Sequence, residues 1–373
     1  MEDRRYWLGF NRVRGIGPMR LRLLLDTFGS IRAAWEAPVE ALHSLGLERR
    51  ALTNFLQLRE SLDLAQLEAA VTRAGVSVYT WDDPAYPSAL RELPDSPPVL
   101  FVKGALTESD DWALAIVGTR KPTAYGREVA HHLAGELAQQ GLTIVSGLAR
   151  GIDAVAHRAA LDAGGRTIAV LGCGVDLVYP EEHRRLAQEI VEHGALVSDY
   201  PLGTRPEAAN FPARNRIISG LSRGVLVVEA GATSGALITA EFAAQQGREV
   251  FAVPGSIFSP ASQGTHRLLR EGATLVTSAQ DILEALHLEA VSEQRSARES
   301  IPATLTEATL LTYLSREPLH VDELARACGL PIEMVSSTLV LMELKGMARQ
   351  VGPLQYVAAR ETQEIYLKEE DDV

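Results

Sequence analysis

Cysteine is scarce in this 373-residue chain: there are two, Cys173 and Cys328, far apart and neither in a CxxC pair. Their scarcity excludes a disulfide framework and a multi-cysteine zinc site, and points to buried thiols in a reducing compartment. Long apolar runs are missing as well. No stretch of about 18 apolar residues occurs, the length a helix needs to cross a bilayer, so no membrane partner is expected. The opening MEDRRYWLGF carries charge and no signal-peptide core, and a cytoplasmic protein is expected. The chain has no GxxxxGK[ST], and after Gly172 and Gly174 the third fingerprint position is Leu177. A Walker nucleotide site and a dinucleotide site are thereby excluded. No spacing of His, Cys, Asp and Glu suits zinc or a Ser-His-Asp arrangement. His131, His132 and His157 read as solvated or core side chains, and neither a cofactor nor a metal is expected.

Positive charge is also short overall, with a formal net charge of −12, but its placement is uneven. The tail ETQEIYLKEEDDV, Glu361–Val373, has six acids and one lysine, whereas the first 22 residues have six arginines against two acids. Salt confines fields to about 10 Å, so a local cationic patch can hold a polyanion on an acidic protein. Composition leaves nucleic acid open as a partner.

What the chain does contain falls into three blocks and a tail. Residues 1–75 read as short helices, with a Gly-Ile-Gly-Pro turn at Gly15–Pro18 ahead of an amphipathic helix and a weaker echo, LHSLGLERRALTNFL, from Leu42. This is the pattern of a small helix-hairpin-helix-like or SAM-like domain. Its turn amides either hold a phosphate or serve a tight turn alone. Residues 76–287 alternate helical segments with apolar runs: ALAIVG from Ala113, LTIVS from Leu142, RTIAVLG from Arg166, ALVSD from Ala195, GVLVVEA from Gly224, EVFAVPG from Glu249 and ATLV from Ala273. Near-continuous apolar runs mark strands covered on both faces. The expected fold is α/β, an extended Rossmann-like, doubly wound, mostly parallel sheet. A polar linker at 288–303 leads to a winged-helix-like domain at 304–360 and the acidic tail at 361–373. The second helix of that domain, Ile332–Leu344, holds Glu333 and Glu343, with Lys345 its first basic residue. Groove-reading helices need cations and amides, so protein contact or a purely structural role is expected there.

Ligands of open α/β sheets sit outside the carboxyl ends of the strands. Here those ends read Gly118-Thr119-Arg120, followed by Lys121; Ser146-Gly147-Leu148-Ala149-Arg150-Gly151; Gly172-Cys173-Gly174; Gly231-Ala232-Thr233-Ser234-Gly235; and Pro254-Gly255-Ser256. Glycine-rich turns opening onto helices offer free amides and a positive helix end, which suit an anionic ligand. In NFPARNRIISGLSRGVLVVEAG, Asn210–Gly231, a helix starting near Ala213 puts Arg214, Asn215 and Arg216 in its first turn. Cations there oppose the helix dipole and make sense against a bound anion. Phe211 beside them offers a face on which a base can stack, worth about 1–3 kcal/mol per base. The alternative is a core Phe211, with the arginines paired to Glu229 or Asp199.

VGTR at Val117, SGLARGID at Ser146, FPARNRIISGLS at Phe211, VVEAGATSGALITA at Val227 and VPGS at Val253 together resemble the DNA-processing protein A family, DprA or Smf. The resemblance implies a Rossmann domain that binds single-stranded DNA, pairs into a homodimer and loads the RecA recombinase during natural transformation. It implies Arg120 as the leading DNA contact, with Phe211, Arg214 and Arg216 near it. Together with the strand-end turns and the start of the Asn210–Gly231 stretch, the expected DNA-binding positions are Gly118, Thr119, Arg120, Lys121, Ser146, Gly147, Arg150, Phe211, Arg214, Asn215, Arg216, Ser234 and Gly235. Leu268, Leu269 and Leu275 are the implied dimer contacts. The family's Gly-x-Asn after the PGS strand reads Gly264-Thr265-His266, and a basic residue common before the Phe-Pro pair is replaced by Glu207-Ala208-Ala209. A rival reading is a nucleotide phosphoribohydrolase-like enzyme using Glu241 with Glu229 nearby. A third is a transcription regulator acting through the winged helix.

Overall fold

The computed structural model describes residues 3–288, 305–315, 318–344, 348–352 and 354–358. The expected linker, from residue 289 on, Lys345 and the acidic tail lie outside the described residues. Two compact units are present, Met1–Leu286 and His287–Val373.

The first unit opens with α1 (Arg4–Asn11), α2 (Pro18–Phe28), α3 (Ile31–Glu36), α4 (Val39–Ser44), α5 (Arg49–Ser61) and α6 (Leu64–Arg73). Pro18, with its fixed φ, starts α2. Ser30 and Asp63 cap α3 and α6 by accepting the backbone amides of Ala33 and Gln66 at 3.1 and 2.9 Å. The Gly-Ile-Gly turn joins α1 to α2 and is closed by the Ile16 amide donating to Val13 O at 3.2 Å. Phe10, Trp35 and Phe55 interlock at the centre, with centroids 4.9–5.2 Å apart, a spacing at which aromatic pairs add about 0.5–1.5 kcal/mol beyond their buried area.

That aromatic core continues into a sheet. Val78, Val99 and Phe101 belong to the same buried cluster. They come from β1 (Ser77–Thr80) and β2 (Val99–Gly104), which pair antiparallel. The sheet continues through β3 (Ala113–Val117), β4 (Thr143–Ser146), β5 (Thr167–Val170), β6 (Gly194–Ser198), β7 (Gly224–Val227), β8 (Glu249–Ala252) and β9 (Thr274–Leu275). Its order is β1-β2-β6-β5-β4-β3-β7-β8-β9. The β2–β6 pair is antiparallel, and every pair from β6 to β9 is parallel. The apolar runs read as strands are thus β3 to β9, whereas β1 and β2 are an antiparallel extension not expected from the sequence. Every residue of β3, β4, β5, β6 and β7 is buried, as a sheet covered on both faces requires.

Helices α7 (Ser88–Arg91), α8 (Ala124–Gln139), α9 (Ile152–Asp162), α10 (Arg184–His193), α11 (Asn210–Gly220), α12 (Ala236–Gln245), α13 (Gln263–Arg270) and α14 (Ala279–Ala285) follow the strands. The two-residue period of the strands divides their side chains between layers. Ala169 and Leu196 meet α9 and α10, while Ile168, Val170, Ala195 and Val197 meet α11 and α12. Strand order reverses between β3 and β7, so the switch point, where this architecture leaves a crevice, lies at their carboxyl ends.

The second unit contains the helices Leu305–Tyr313, Val321–Cys328 and Ile332–Leu344 and a sheet of β10 (Leu319–His320), β11 (Ala348–Gly352) and β12 (Gln355–Ala358) in the order β10-β12-β11. Leu310, Leu324, Val335, Leu339, Met342 and Tyr356 form its core. Among the described residues no single helix is long and apolar enough to cross a membrane.

Candidate nucleic-acid interface

The turn after β3 carries the first expected contacts and is anchored to the neighbouring strand. Thr119 donates its amide to Glu229 O at 2.8 Å, just past the end of β7. The Glu229 carboxylate, itself buried, accepts the Thr123 amide at 2.9 Å and the Thr123 hydroxyl at 2.6 Å. It fits because position 126 is glycine: a Cβ there would collide with that carboxylate. Gly118 and Thr119 are half-buried, and Arg120 and Lys121 are exposed between the two anchored ends.

Phe211 faces this turn. Its ring centroid lies 5.9 Å from the guanidinium carbon of Arg120, inside the cation–π range. Tyr179, 46% exposed, stands 5.5 Å from Phe211 with the planes tilted by 40°. The two rings and one free guanidinium make an open face of the kind on which unstacked bases lie. Tyr179 was not anticipated. The signal available was a tyrosine in the loop following β5, at the carboxyl edge.

Other expected contacts take a different place. Helix α11 begins at Asn210 rather than near Ala213, so Phe211 and Pro212 are in the first turn and the arginines follow it. Arg214 is 4% exposed. It donates to Gly147 O at 2.8 Å, to Val170 O, and to Asn215 Oδ1 at 3.0 Å. Gly147 makes that burial possible, since a Cβ there would overlap the guanidinium. Burial lowers the Arg214 pKa and raises that of Asp153, and each charge opposes the other's shift. Asp153 Oδ2 also accepts the amides of Gly147 and Ala149 at 3.1 and 3.3 Å. Arg214 therefore fastens α11 to the ends of β4 and β5, and the expectation that it meets a bound anion at the surface is corrected.

Arg216 is likewise used internally. It pairs with Asp199 Oδ2 at 2.6 Å and donates to Asp95 O, as in the alternative in which the arginines meet acids. Asn215 is buried and ties α11 to Gly235 O at 3.4 Å. Ser146 is buried and donates to Ile116 O at 2.6 Å, and the buried Gly147 amide is spent on Asp153, so neither presents a donor outward. Arg150 is exposed but holds Glu182 through two bonds of 2.8 Å. Ser234 is half-buried and Gly235 exposed ahead of α12. Of the proposed dimer contacts, Leu268 packs into the sheet core, Leu269 lies against it, and Leu275 is 50% exposed on the edge strand β9. The expectation of Leu268 as a surface contact is corrected.

Behind Gly147, Leu148 takes a φ of +55°, strained for a branched side chain. Its amide donates to His157 Nε2 at 3.4 Å, while His157 Nδ1 lies 2.6 Å from Thr167 Oγ1, which donates to Ile144 O at 2.7 Å. That chain of donors fixes a neutral, Nδ1-protonated His157. Burial holds its pKa down at about 3. Cys173 is buried as a free thiol, its pKa pushed up to about 11 by desolvation.

Comparison with known proteins agrees with this fold. The family profile of DNA recombination-mediator protein A matches residues 77–287, and that of the DprA winged helix domain matches residues 294–352. Protein Smf of Synechocystis sp. is 36% identical over 95% of this chain and 98% of its own length. Protein Smf of Escherichia coli is 45% identical over 75% of this chain and 76% of its own. Among solved structures, DNA processing protein A of Streptococcus pneumoniae aligns with a TM-score of 0.67 at 38% identity, covering 75% of this chain and 95% of that one. DNA processing protein A of Helicobacter pylori, whose structure is described for its unique single-stranded DNA binding mode, gives 0.52 at 33% identity, covering 57% and 96%. With a profile spanning more than half of its residues and relatives aligned along nearly its whole length, this chain belongs to the DNA recombination-mediator protein A family.

Proposed function

We propose that this chain binds single-stranded DNA along the carboxyl edge of its sheet, without catalysing a reaction, and acts as a recombination mediator. The observation that carries the reading is the pairing of the free Arg120 guanidinium with the Phe211–Tyr179 face at the switch point. Arg120 and Lys121 meet phosphates, the rings meet bases, and the buried Arg214 backs the Phe211 ring. The single-stranded DNA binding described for the Helicobacter pylori relative supports the ligand class.

The rest of the role extends that reading. The chain protects incoming strands in the cytoplasm, hands them to the RecA recombinase during natural transformation, and works as a homodimer in which Leu269 and the exposed Leu275 on β9 contribute to the contact. Residues 1–75, 76–287 and 304–360 act as its helical, DNA-binding and winged-helix segments. Of the two glutamates of the enzyme reading, Glu229 is buried and bonded twice to Thr123, leaving no free base at that position, and Glu241 lies exposed within α12.

Fluorescence anisotropy with a labelled oligo-dT tests the binding. Arg120→Glu should weaken it at least about tenfold, or about 1.4 kcal/mol. Parent-like binding by a folded Arg120→Glu protein would sink the proposal. Light scattering that returns the 40.4 kDa mass of one chain at micromolar concentration would sink the dimer.

A further inference from the structure

The loop between β8 and α13 carries two adjacent apolar residues that are exposed among the described residues. Ile257 is 82% and Phe258 89% exposed. Scattered apolar side chains on a surface need no explanation, but this pair is adjacent and sits on a fastened loop. Pro254 O accepts the Tyr125 hydroxyl at 2.8 Å, His266 Nε2 lies 3.0 Å from Gly255 O, and Ser256 Oγ accepts the Phe258 amide at 3.3 Å. The backbone is held at three points while its tip faces outward.

The same loop borders a cavity of about 540 Å³ lined by Thr123, Tyr125, Glu229, Pro254, Ser256 and Ser259, among others. This cavity adjoins the turn that displays Arg120 and Lys121: Thr123 closes that turn and Tyr125 follows it. The Tyr125 ring is itself 49% exposed. Glu229 is occupied by Thr123, so the remaining lining is aromatic, hydroxyl and backbone. Such a lining suits an uncharged planar ring whose edge carries donors and acceptors. It suits neither a phosphate nor an acidic peptide.

Building on the proposed single-strand site, we infer that Tyr125, Phe258 and the hydroxyl-lined cavity form a second base subsite. It lies across the Arg120–Lys121 turn from the Phe211–Tyr179 face. A strand then passes over the cationic turn with a base held on each side of it. The occupant is an unpaired nucleobase of the same strand, because the cavity continues from the cationic turn and its lining, apart from the Glu229 carboxylate held by Thr123, is aromatic and polar-edged. A duplex, whose bases are stacked inward, cannot use it.

The test compares labelled oligo-dT of about 4 and about 16 nucleotides on the full-length protein, with Phe258→Ala, Tyr125→Phe and Arg120→Glu. Phe258→Ala should weaken the long oligonucleotide at least about fivefold, the lower end of one lost stacking contact. It should leave the short one, which fills one side only, unchanged. Tyr125→Phe keeps the ring, loses the tie to Pro254, and should weaken the long oligonucleotide less than Phe258→Ala does. Arg120→Glu should weaken both lengths. Parent-like binding of the long oligonucleotide by Phe258→Ala, or equal loss on both lengths, would overturn the second subsite. So would a change in oligomeric mass with DNA binding intact, which would make the tip a protein contact. Arg120→Glu binding both lengths as the parent does would overturn the cationic turn itself, a separate failure.

Discussion

Arg120 and Arg214 stand at the same distance from the same ring, each guanidinium carbon 5.9 Å from the centroid of Phe211. Their surroundings are opposite. Arg120 is exposed on a turn, and Arg214 lies beneath the ring with its donors spent on Gly147, Val170 and Asn215. One cation is free for a ligand and the other is part of the frame that aims the aromatic surface. The contrast teaches that a cluster of arginines beside an aromatic residue is two kinds of object, separated by burial rather than by residue type.

The comparison is broken most forcefully from the buried side. Arg214→Ala leaves Asp153 in the interior without its counter-charge and two carbonyls without a donor, a loss of about 3–5 kcal/mol. Denaturant unfolding should show a much lower midpoint. A protein as stable as the parent would mean that Arg214 is not part of the frame.

Acid should attack the same region. His157 has a folded pKa of about 3 against an ordinary 6.5, so between those values the unfolded chain binds the extra proton and stability falls as pH falls. The loss is up to about 1.4 kcal/mol per pH unit. Unfolding measured from pH 7 to pH 5 should show that decline, and His157→Gln should flatten it. An unchanged slope in the variant would assign the acid sensitivity elsewhere.

On the exposed side the signature reverses. Arg120→Glu, expected to lose at least about 1.4 kcal/mol of binding, should alter unfolding stability by no more than about 0.5 kcal/mol, the usual range for a surface change. A large stability loss would erase the distinction between the two arginines. Tyr179→Ala probes the open face without touching the frame. Single strands should compete better than duplex by at least about an order of magnitude, and the variant should narrow that gap by about fivefold, the lower end of one stacking contact. Equal competition by the parent would leave a phosphate patch with no stacking surface.

The smallest effect is expected from the second unit. Ending the chain after Leu288 should change single-strand affinity by less than about twofold, since the described part of its second helix carries Glu333 and Glu343 and no cation. Loss of binding by a folded truncated chain would move the site.

These contrasts also mark where the sequence could be read and where it could not. Strands β3 to β9 were legible because each is a short, nearly unbroken apolar run followed by a glycine or small polar turn, a local property. β1 and β2 were not, because SVYT is short and an antiparallel extension gives no strand–helix alternation to follow. The fates of Arg214 and Arg120 were illegible for a different reason. The carbonyls that consume Arg214 are 67 and 44 residues away in the chain, so its burial is settled by packing that no local pattern reports. Glu229 was noticed as a carboxylate near the site. Its task became visible once Thr119 and Thr123, more than 100 residues earlier, were seen to close upon it.

That closure has a kinetic consequence. With Glu229 gripping the turn through its backbone oxygen and its carboxylate, both ends of the segment that carries Arg120 and Lys121 are fixed before any ligand binds. Ordering a loose loop would subtract from the affinity and slow the encounter. On the proposed function, a strand meets a turn whose two ends are already fixed, and the Arg120 and Lys121 side chains are what remains to settle.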